Sequence, residues 1–245
     1  MNQSPVILVT GGARRVGAAI VRRLHAGGCN VAIHYRHSAD EASALAAELN
    51  ASRDGSVAIF PAALEDDEAL PSLVHSVIDT FGRLDGLVNN ASAFYPTPVG
   101  TATGTQWDDL FAANARAPFF LAQAAAAELR RNKGAIVNIV DIYAERPLAD
   151  HPIYTMAKAA LAMLTLSLAK DLAPDVRVNA VAPGAILWPE SGKAEDATEA
   201  LIAKTPLARK GEPEDVAEAV RWLLLDARYT TGQTIRIDGG RALTI

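Results

Sequence analysis

Cysteine is almost missing from this chain of 245 residues, which contains only Cys29. One cysteine cannot form a disulfide within the chain, which fits a reducing cytoplasm, and its place beside a glycine turn predicts an inert thiol. The N-terminal residues lack the basic segment and the long apolar core of a signal peptide. No uninterrupted apolar run reaches the ~18 residues of a membrane span, so we expect a cytoplasmic protein with no membrane partner.

Basic residues do not outnumber acidic residues in this chain. The formal net charge is −5, which argues against nucleic acid or an anionic membrane as the main partner. Arginines cluster locally instead, which indicates a small anionic ligand; they are Arg14, Arg15, Arg22, Arg23 and Arg36. No set of His, Cys and carboxylate residues has the spacing of metal ligands, so no metal is expected.

Apolar runs of strand length alternate with segments of helical period along the whole chain, and half of all residues are hydrophobic. Helices are predicted between the strands, among them a long one over 106–129 with a bend near Pro118 and another from Pro152 to Leu172. Residues 187–196 have no clear period and are predicted to form a loop or lid. The predicted strands are 6–9, 31–34, 57–60, 84–89, 135–140, 177–181 and 234–237. This alternation predicts an α/β fold in one domain over 1–245, a doubly wound parallel sheet of about seven strands with helices on both faces.

A glycine-rich turn over residues 10–17 separates the first strand from the first helix. A strand, a glycine turn and a helix N-terminus together form a binding site for a dinucleotide pyrophosphate, although a plain strand-to-helix turn is the alternative. Arg15 stands where the middle glycine of such turns usually falls, so its guanidinium is predicted to bind the pyrophosphate or to reach the substrate. The predicted cofactor residues of this turn are Gly11, Arg14, Arg15, Val16 and Gly17.

The end of the second strand indicates which dinucleotide binds. An NAD-specific site usually has an acid there for the ribose 2′-hydroxyl, but here no acid occurs before Asp40. Arg36, His37 and Ser38 instead offer a guanidinium, an imidazole and a hydroxyl that suit a 2′-phosphate. The sequence therefore predicts NADPH as the cofactor, with a solvated basic turn as the alternative.

Tyr154 and Lys158 are one helical turn apart, and Asp141 follows the fifth predicted strand. An ammonium beside a phenol lowers the phenol pKa from about 10, so Tyr154 is predicted to donate a proton near neutral pH. The alternative is an ordinary surface Tyr–Lys pair on an amphipathic helix.

In order and spacing, five motifs resemble those of the classical short-chain dehydrogenase/reductases over nearly the whole chain: residues 10–17, residues 89–91, Tyr154 with Lys158, Pro183 with Gly184, and residues 238–240. The resemblance implies that the Tyr is the acid/base, that Lys158 also holds the nicotinamide ribose, and that Asn114 supports the proton relay. It also implies a homotetramer. The residues that it places around the cofactor, besides Tyr154 and Lys158, are Leu64, Asn90, Ala91, Ser92, Asn114, Pro183, Gly184 and Ile186.

Asp141 departs from the general pattern of that family, which has a Ser at this place. A carboxylate repels the oxyanion of a reduced ketone, but it suits a C=N bond that must be protonated. The alternative is that Asp141 only caps a turn. The arginine in the glycine turn, the residues 89–98 and the segment 34–38 further resemble the pteridine reductases.

That closer resemblance implies a pterin site in which Phe94 stacks on the pterin ring; the alternative for Phe94 is a core aromatic. Its predicted substrate residues are Arg15, Ser92, Phe94, Asp141, Tyr154 and Leu187. Ala63 and His151 depart from the protozoan enzymes, and residues 185–190 resemble bacterial dihydromonapterin reductases instead. Which pterin is reduced, including dihydrofolate, stays open. So do another imine or carbonyl substrate and a sensor that binds NADPH without turnover.

Overall fold

The computed structural model describes residues 4–186, 199 and 201–245, and its strands form one parallel sheet. The seven strands have the order β3-β2-β1-β4-β5-β6-β7, which confirms the predicted doubly wound sheet. The reversal of strand order next to β1 brings the ends of β1 and β4 together, where open α/β sheets bind ligands. The strands are β1 (Val6–Val9), β2 (Asn30–Tyr35), β3 (Val57–Pro61), β4 (Gly86–Asn89), β5 (Ala135–Ile139), β6 (Arg177–Pro183) and β7 (Thr234–Ile237).

Hydrophobic cores lie on both faces of the sheet because the central strands alternate their side chains between two helical layers. Ile7 and Val9 of β1 pack into one core, and Val6 and Leu8 pack into the other. This burial on both faces explains why the strands appear in the sequence as continuous apolar runs. The helices that cover the sheet are α1 (Arg15–Ala26), α2 (Ala39–Asn50), α3 (Ala69–Phe81), α4 (Gly104–Phe111), α5 (Ala117–Asn132), α6 (Pro152–Asp171) and α7 (Pro213–Leu225).

The helix predicted over 106–129 is interrupted, as expected, but the interruption lies just before Pro118. A π-helical turn, Ala112–Arg116, separates α4 from α5. Pro118 has no N–H to donate to the carbonyl of Asn114, four residues earlier, and its ring crowds that carbonyl. The wider turn is therefore placed at Asn114, one of the predicted site residues. The loop predicted over 187–196 lies outside the described residues.

Helix α6 has 20 residues and a mean hydropathy of 1.3, so by length and composition it is apolar enough to cross a membrane. The search of the sequence for uninterrupted apolar runs did not find this helix, because Lys158 and several Thr and Ser residues interrupt the apolar run. It is weak support for a membrane span, since core helices pass the same test and 44% of this segment is buried inside the protein. The absence of a membrane partner stays a prediction.

Candidate active site

A hydroxyl at the end of β1 joins the glycine turn to the end of β4. Thr10 Oγ1 accepts the N–H groups of Asn90 and Ala91 at 2.9 and 3.1 Å and donates to the Val88 carbonyl. The Asn90 amide in turn donates to the carbonyls of Thr10 and Gly11 at 2.9 and 3.0 Å. Asn90 and Ala91 thus lie at the predicted cofactor edge, and the Asn90 side chain holds the turn in place. The sequence analysis gave Thr10 no role of its own.

The glycine turn has the close approaches that its two predicted glycines allow. Gly11 has a φ of +60°, which favours glycine. A β-carbon on Gly17 would overlap the carbonyl oxygen of Gly11 and lie 2.8 Å from the Asn90 amide nitrogen. Helix α1 begins directly after the turn with no acid in its first turn, so no carboxylate of that turn offsets the positive end of the helix dipole. This cradle fits the pyrophosphate of a dinucleotide.

Arg15, at the place of the usual middle glycine, has a left-handed backbone with a φ of +54°. This conformation costs an L-residue other than glycine about 1–2 kcal/mol. The same position is the first residue of α1, so the arginine side chain starts at the predicted phosphate site while its backbone is strained.

We expect Arg15→Gly to raise the free energy of unfolding by about 0.5–1 kcal/mol, because relief of strain exceeds the added chain entropy. The same change should weaken dinucleotide binding about 10-fold through loss of a charged donor. Urea denaturation and calorimetric titration measure the two effects. Arg15→Lys, which keeps both charge and strain, serves as the control for stability. A less stable glycine variant would contradict the strain argument.

His34, a buried residue of β2, connects the glycine turn to the end of β3. Its Nδ1 accepts the N–H of Gly11 at 3.1 Å, and its Nε2 is 3.2 Å from the Ala62 carbonyl. A carbonyl can only accept, so the ring is neutral with its proton on Nε2. Burial lowers the pKa of His34. The sequence analysis named His34 only as part of the segment 34–38 and gave it no role of its own, although a histidine inside a buried strand was a signal.

Acid is expected to destabilise the protein through His34. Its pKa is lower in the folded chain than the ~6.5 of an unfolded histidine, so the unfolded chain binds the extra proton and stability falls as pH drops below that value. Replacing His34 by Asn should reduce the dependence of unfolding free energy on pH by up to ~1.4 kcal/mol per pH unit. Denaturation between about pH 5 and 7 measures this. The exposed His75→Asn is the matched control, and equal slopes for all three proteins would contradict the expectation.

The basic residues predicted to bind the 2′-phosphate lie just after β2. Arg36 forms an ion pair with Glu65, with Nη2 and Oε1 2.5 Å apart. His37 is exposed, and Ser38 precedes α2 without a side-chain capping bond. The sequence analysis missed Glu65 because that residue is distant in the chain and comes after β3.

Tyr154, Asp141 and Lys158 form a cluster between the end of β5 and the start of α6, in which Tyr154 and Lys158 are buried and Asp141 is half-buried. The Tyr154 hydroxyl donates to Asp141 Oδ2 at 2.7 Å, and Asp141 Oδ1 accepts the N–H of Tyr143 at 2.9 Å. Asp141 therefore does cap a short 3-10 turn, but only with one oxygen. Tyr154 is 4% exposed and Lys158 is 2% exposed, so the alternative of a surface pair does not apply.

The predicted effect of Lys158 on Tyr154 is wrong in this structure. Lys158 Nζ donates to the Ile139 carbonyl at 2.9 Å and lies 5.9 Å from the centre of the Tyr154 ring. Burial first, and then the charge and hydrogen bond of Asp141, raise the pKa of Tyr154 well above its usual value. Burial alone therefore already sets the direction, and the carboxylate that accepts the hydrogen bond of the hydroxyl adds to it, while the ammonium donates its hydrogen bond to Ile139.

Burial favours the uncharged form of each ionisable group in this cluster. Burial raises the pKa of Asp141 and lowers the pKa of Lys158 to about 8, an effect that the charge of Asp141 opposes. The phenol and the carboxyl thus share a strong tendency to hold a proton between them. Such a pair can donate a proton to an acceptor that contacts the Tyr154 oxygen.

Asn114 holds the loop that follows β4. Its amide nitrogen donates to the carbonyls of Ala93 and Leu110, each at 2.9 Å, and its Oδ1 accepts the Ser92 hydroxyl at 2.7 Å. Among the described residues no recorded hydrogen bond joins Asn114 to Tyr154 or Lys158, so its part in a proton relay stays a prediction. The contacts seen position Ser92 and its neighbour Phe94.

Phe94 lies beside the cluster and is not a core residue, because 49% of its surface is exposed. Its ring stacks on the imidazole of His151, with centroids 4.7 Å apart and planes at 11°. Its edge contact with Tyr154 has centroids 4.8 Å apart. A flat ligand next to Tyr154 would therefore meet Phe94, and His151 is a further candidate that the sequence analysis noted only as a departure.

Four further predicted cofactor residues divide into two groups. Pro183 ends β6, and Gly184 passes so close to Asp238 that a β-carbon would lie 2.7 Å from the Asp238 β-carbon. Leu64 and Ile186 are buried with their side chains in the two cores, so packing is the role the structure gives them. Cofactor contact by these residues stays a prediction. Leu187 lies outside the described residues.

Comparison with known proteins identifies the family. A family model described as Enoyl-(Acyl carrier protein) reductase matches residues 11–242. Pteridine reductase 1 of Leishmania tarentolae is 40% identical over 282 residues, with 98% of this chain and 97% of the relative covered. The 3-oxoacyl-(acyl-carrier-protein) reductase FabG of Staphylococcus aureus is 35% identical over 244 residues, covering 98% and 99%. A 3-oxoacyl-(acyl-carrier-protein) reductase of Synechocystis is 35% identical over 247 residues, covering 97% of both.

The chain belongs to the short-chain dehydrogenase/reductase family, as the sequence resemblance predicted. It is therefore an oxidoreductase of a family that uses nicotinamide dinucleotides. The glycine cradle and the Tyr154–Lys158 pair fit such a cofactor by their place and chemistry.

Proposed function

We propose that this protein is an NADPH-dependent pteridine reductase that converts 7,8-dihydropterins to tetrahydropterins. The observation that carries the proposal is the hydrogen bond of 2.7 Å between the Tyr154 hydroxyl and Asp141. A carboxylate at this position disfavours the developing oxyanion of a ketone but tolerates a C=N nitrogen that becomes protonated. The pteridine reductase among the relatives, at 40% identity, supports the same choice.

The residues of the cluster would supply the proton that the reduction of the C=N bond requires. A bound nicotinamide supplies the hydride. Tyr154 would donate its proton to the ring nitrogen, and the protonated form of Asp141, which burial favours, would then return a proton to the phenolate and be reprotonated from solvent. Lys158 would stay near the ribose and balance the charge of Asp141. Phe94 would stack on the pterin, with Ser92, Arg15 and Leu187 as further substrate contacts.

The cofactor is proposed to be NADPH because Arg36, His37 and Ser38 follow β2 and no acid precedes Asp40. A single domain, a homotetramer, a cytoplasmic location, and no nucleic-acid or membrane partner are part of the same proposal. The tetramer would use exposed apolar side chains of α4, α5 and α6, among them Trp107, Phe119 and Met163.

The test measures the consumption of NADPH through its nicotinamide absorbance, with dihydrobiopterin, dihydromonapterin and dihydrofolate as separate substrates. Turnover with at least one of these dihydropterins is expected. A 3-oxoacyl thioester is included as the competing substrate. Turnover of the thioester, together with no turnover of any of the three dihydropterins, would refute the proposal.

A second candidate is a reductase of another imine or carbonyl compound. The 35% identity to FabG favours a 3-oxoacyl thioester in this case. The description of the matching family model also names an acyl-carrier-protein substrate, although an enoyl one. The substrate panel separates the two functions, because the ketone requires stabilisation of an oxyanion next to Asp141.

A further inference from the structure

Glu65 and Arg36 meet at the edge of the sheet where β2 and β3 end. The two strands are parallel with Tyr35 opposite Pro61, so the residues that follow them lie side by side. Arg36 is the first residue after β2, and its Nη2 is 2.5 Å from Glu65 Oε1. The guanidinium that the proposed function assigns to a 2′-phosphate is thus shared with a carboxylate of the same chain.

The backbone of Glu65 is fixed, which keeps its side chain near Arg36. Arg116, at the end of the π-helical turn, donates from Nη2 to the Glu65 carbonyl at 2.8 Å. Its Nε lies 3.3 Å from Asp67 Oδ1, on the same loop. The start of the loop is joined to β2, since the Ala62 N–H donates to the Tyr35 carbonyl at 3.1 Å. Both ends of the segment that carries Glu65 are therefore held.

The negative charge of Glu65 would affect the binding of NADPH and of NADH differently. A 2′-phosphate carries close to two negative charges and needs the guanidinium edges that Glu65 occupies. It would also lie near the Glu65 carboxylate, and like charges repel. A 2′-hydroxyl is neutral and can donate to a carboxylate, which is the contact that an acid after β2 makes in NAD-specific sites.

We propose that Glu65 competes with the 2′-phosphate for Arg36 and so lowers the preference of this protein for NADPH over NADH. The proposal rests on the proposed use of Arg36 for the 2′-phosphate. It makes Glu65 a determinant of cofactor selectivity, a role that cannot be read from the residues after β2 alone.

The test is direct binding, measured by calorimetry for NADPH, NADH, and the fragments adenosine 2′,5′-bisphosphate and 5′-AMP. Glu65→Gln keeps the size of the side chain and a possible hydrogen bond but removes the charge. The ratio of the NADH to the NADPH dissociation constant should rise about 2- to 5-fold, mainly through tighter NADPH binding, as for an exposed charge pair. The two fragments should show the same trend.

Glu48→Gln is the matched control, because Glu48 forms an ion pair of similar exposure with Arg22 on the surface between α1 and α2. The exposures are 49% and 52% for that pair, and 51% and 43% for Arg36 and Glu65. This control should leave the ratio unchanged. In an Arg36→Ala background, Glu65→Gln should lose most of its effect on the ratio if the competition passes through Arg36.

An unchanged ratio in Glu65→Gln, or weaker NADPH binding, would overturn the proposal, because Glu65 would then orient Arg36 for the phosphate. A full effect that persists without Arg36 would also overturn it. Wild-type protein that binds neither dinucleotide would instead contradict the proposed function, so the two failures are distinguishable.

Discussion

Replacing Asp141 by Asn is expected to lower kcat for dihydropterin reduction by about 10²- to 10⁴-fold, the range for loss of acid–base assistance. Asparagine keeps the size of the side chain, and its oxygen can still accept the Tyr143 N–H. The amide nitrogen cannot accept the Tyr154 proton or return it. We expect the dissociation constant of NADPH to change little, because the cofactor cradle lies on other strands.

The same variant should lower the pKa of Tyr154, since the charge and the hydrogen bond of Asp141 both raise it. Ultraviolet titration of the phenol measures this shift independently of turnover. Asp108→Asn, on the exposed face of α4, is the control and should change neither quantity. Full pterin turnover in the Asp141→Asn protein would rule out the proposed proton relay. Asp141→Ser tests the other direction, because a hydroxyl should permit ketone reduction that the carboxylate disfavours.

Gly17→Ala should destroy the proposed dinucleotide site. Its new β-carbon would overlap the Gly11 carbonyl oxygen, and it would meet the Asn90 amide nitrogen at 2.8 Å. Both neighbours take part in the hydrogen bonds of Thr10 and Asn90, so the turn cannot shift to make room without breaking those bonds. We expect a loss of about 1–3 kcal/mol in unfolding free energy, as for an overpacked core, together with a loss of more than about 100-fold in NADPH affinity.

Urea denaturation and calorimetric titration with NADPH measure these two effects. Gly104→Ala is the matched control, because nothing lies within 4 Å of a β-carbon there, and that variant should keep stability and affinity. If the Gly17 variant does not fold, Gly11→Ala gives a second measurement, since its β-carbon would lie 3.1 Å from the Ala91 α-carbon. A Gly17→Ala protein with normal affinity would show that this turn does not hold the cofactor.

The sheet was predictable from the sequence because its signals are local. Residues 6–9 are apolar throughout, as a strand buried on both faces requires, and the glycines of the next turn mark where the chain reverses. The cluster of Asp141 and Tyr154 was also predictable, since parallel strands end at one edge and a helix begins at Pro152. These inferences needed only spacing and the rules of α/β folds.

The electrostatics of the site were not predictable, because they depend on distances in three dimensions. The sequence shows Lys158 one turn from Tyr154, but it does not show that the ammonium donates to Ile139 while Asp141 contacts the phenol. The pairing of Arg36 with Glu65 likewise joins two strands that the chain separates by a helix. Long-range pairs of this kind decide pKa direction and charge balance, and only coordinates supply them.

Arg15 shows that the dinucleotide turn requires a dihedral angle at its middle position more than it requires a glycine. An arginine satisfies that requirement here with a φ of +54°. Genome searches written as a fixed glycine fingerprint would therefore reject this chain and others built in the same way. A search that scores the backbone angle at this middle position, and accepts a positively charged side chain there in place of glycine, would retain them.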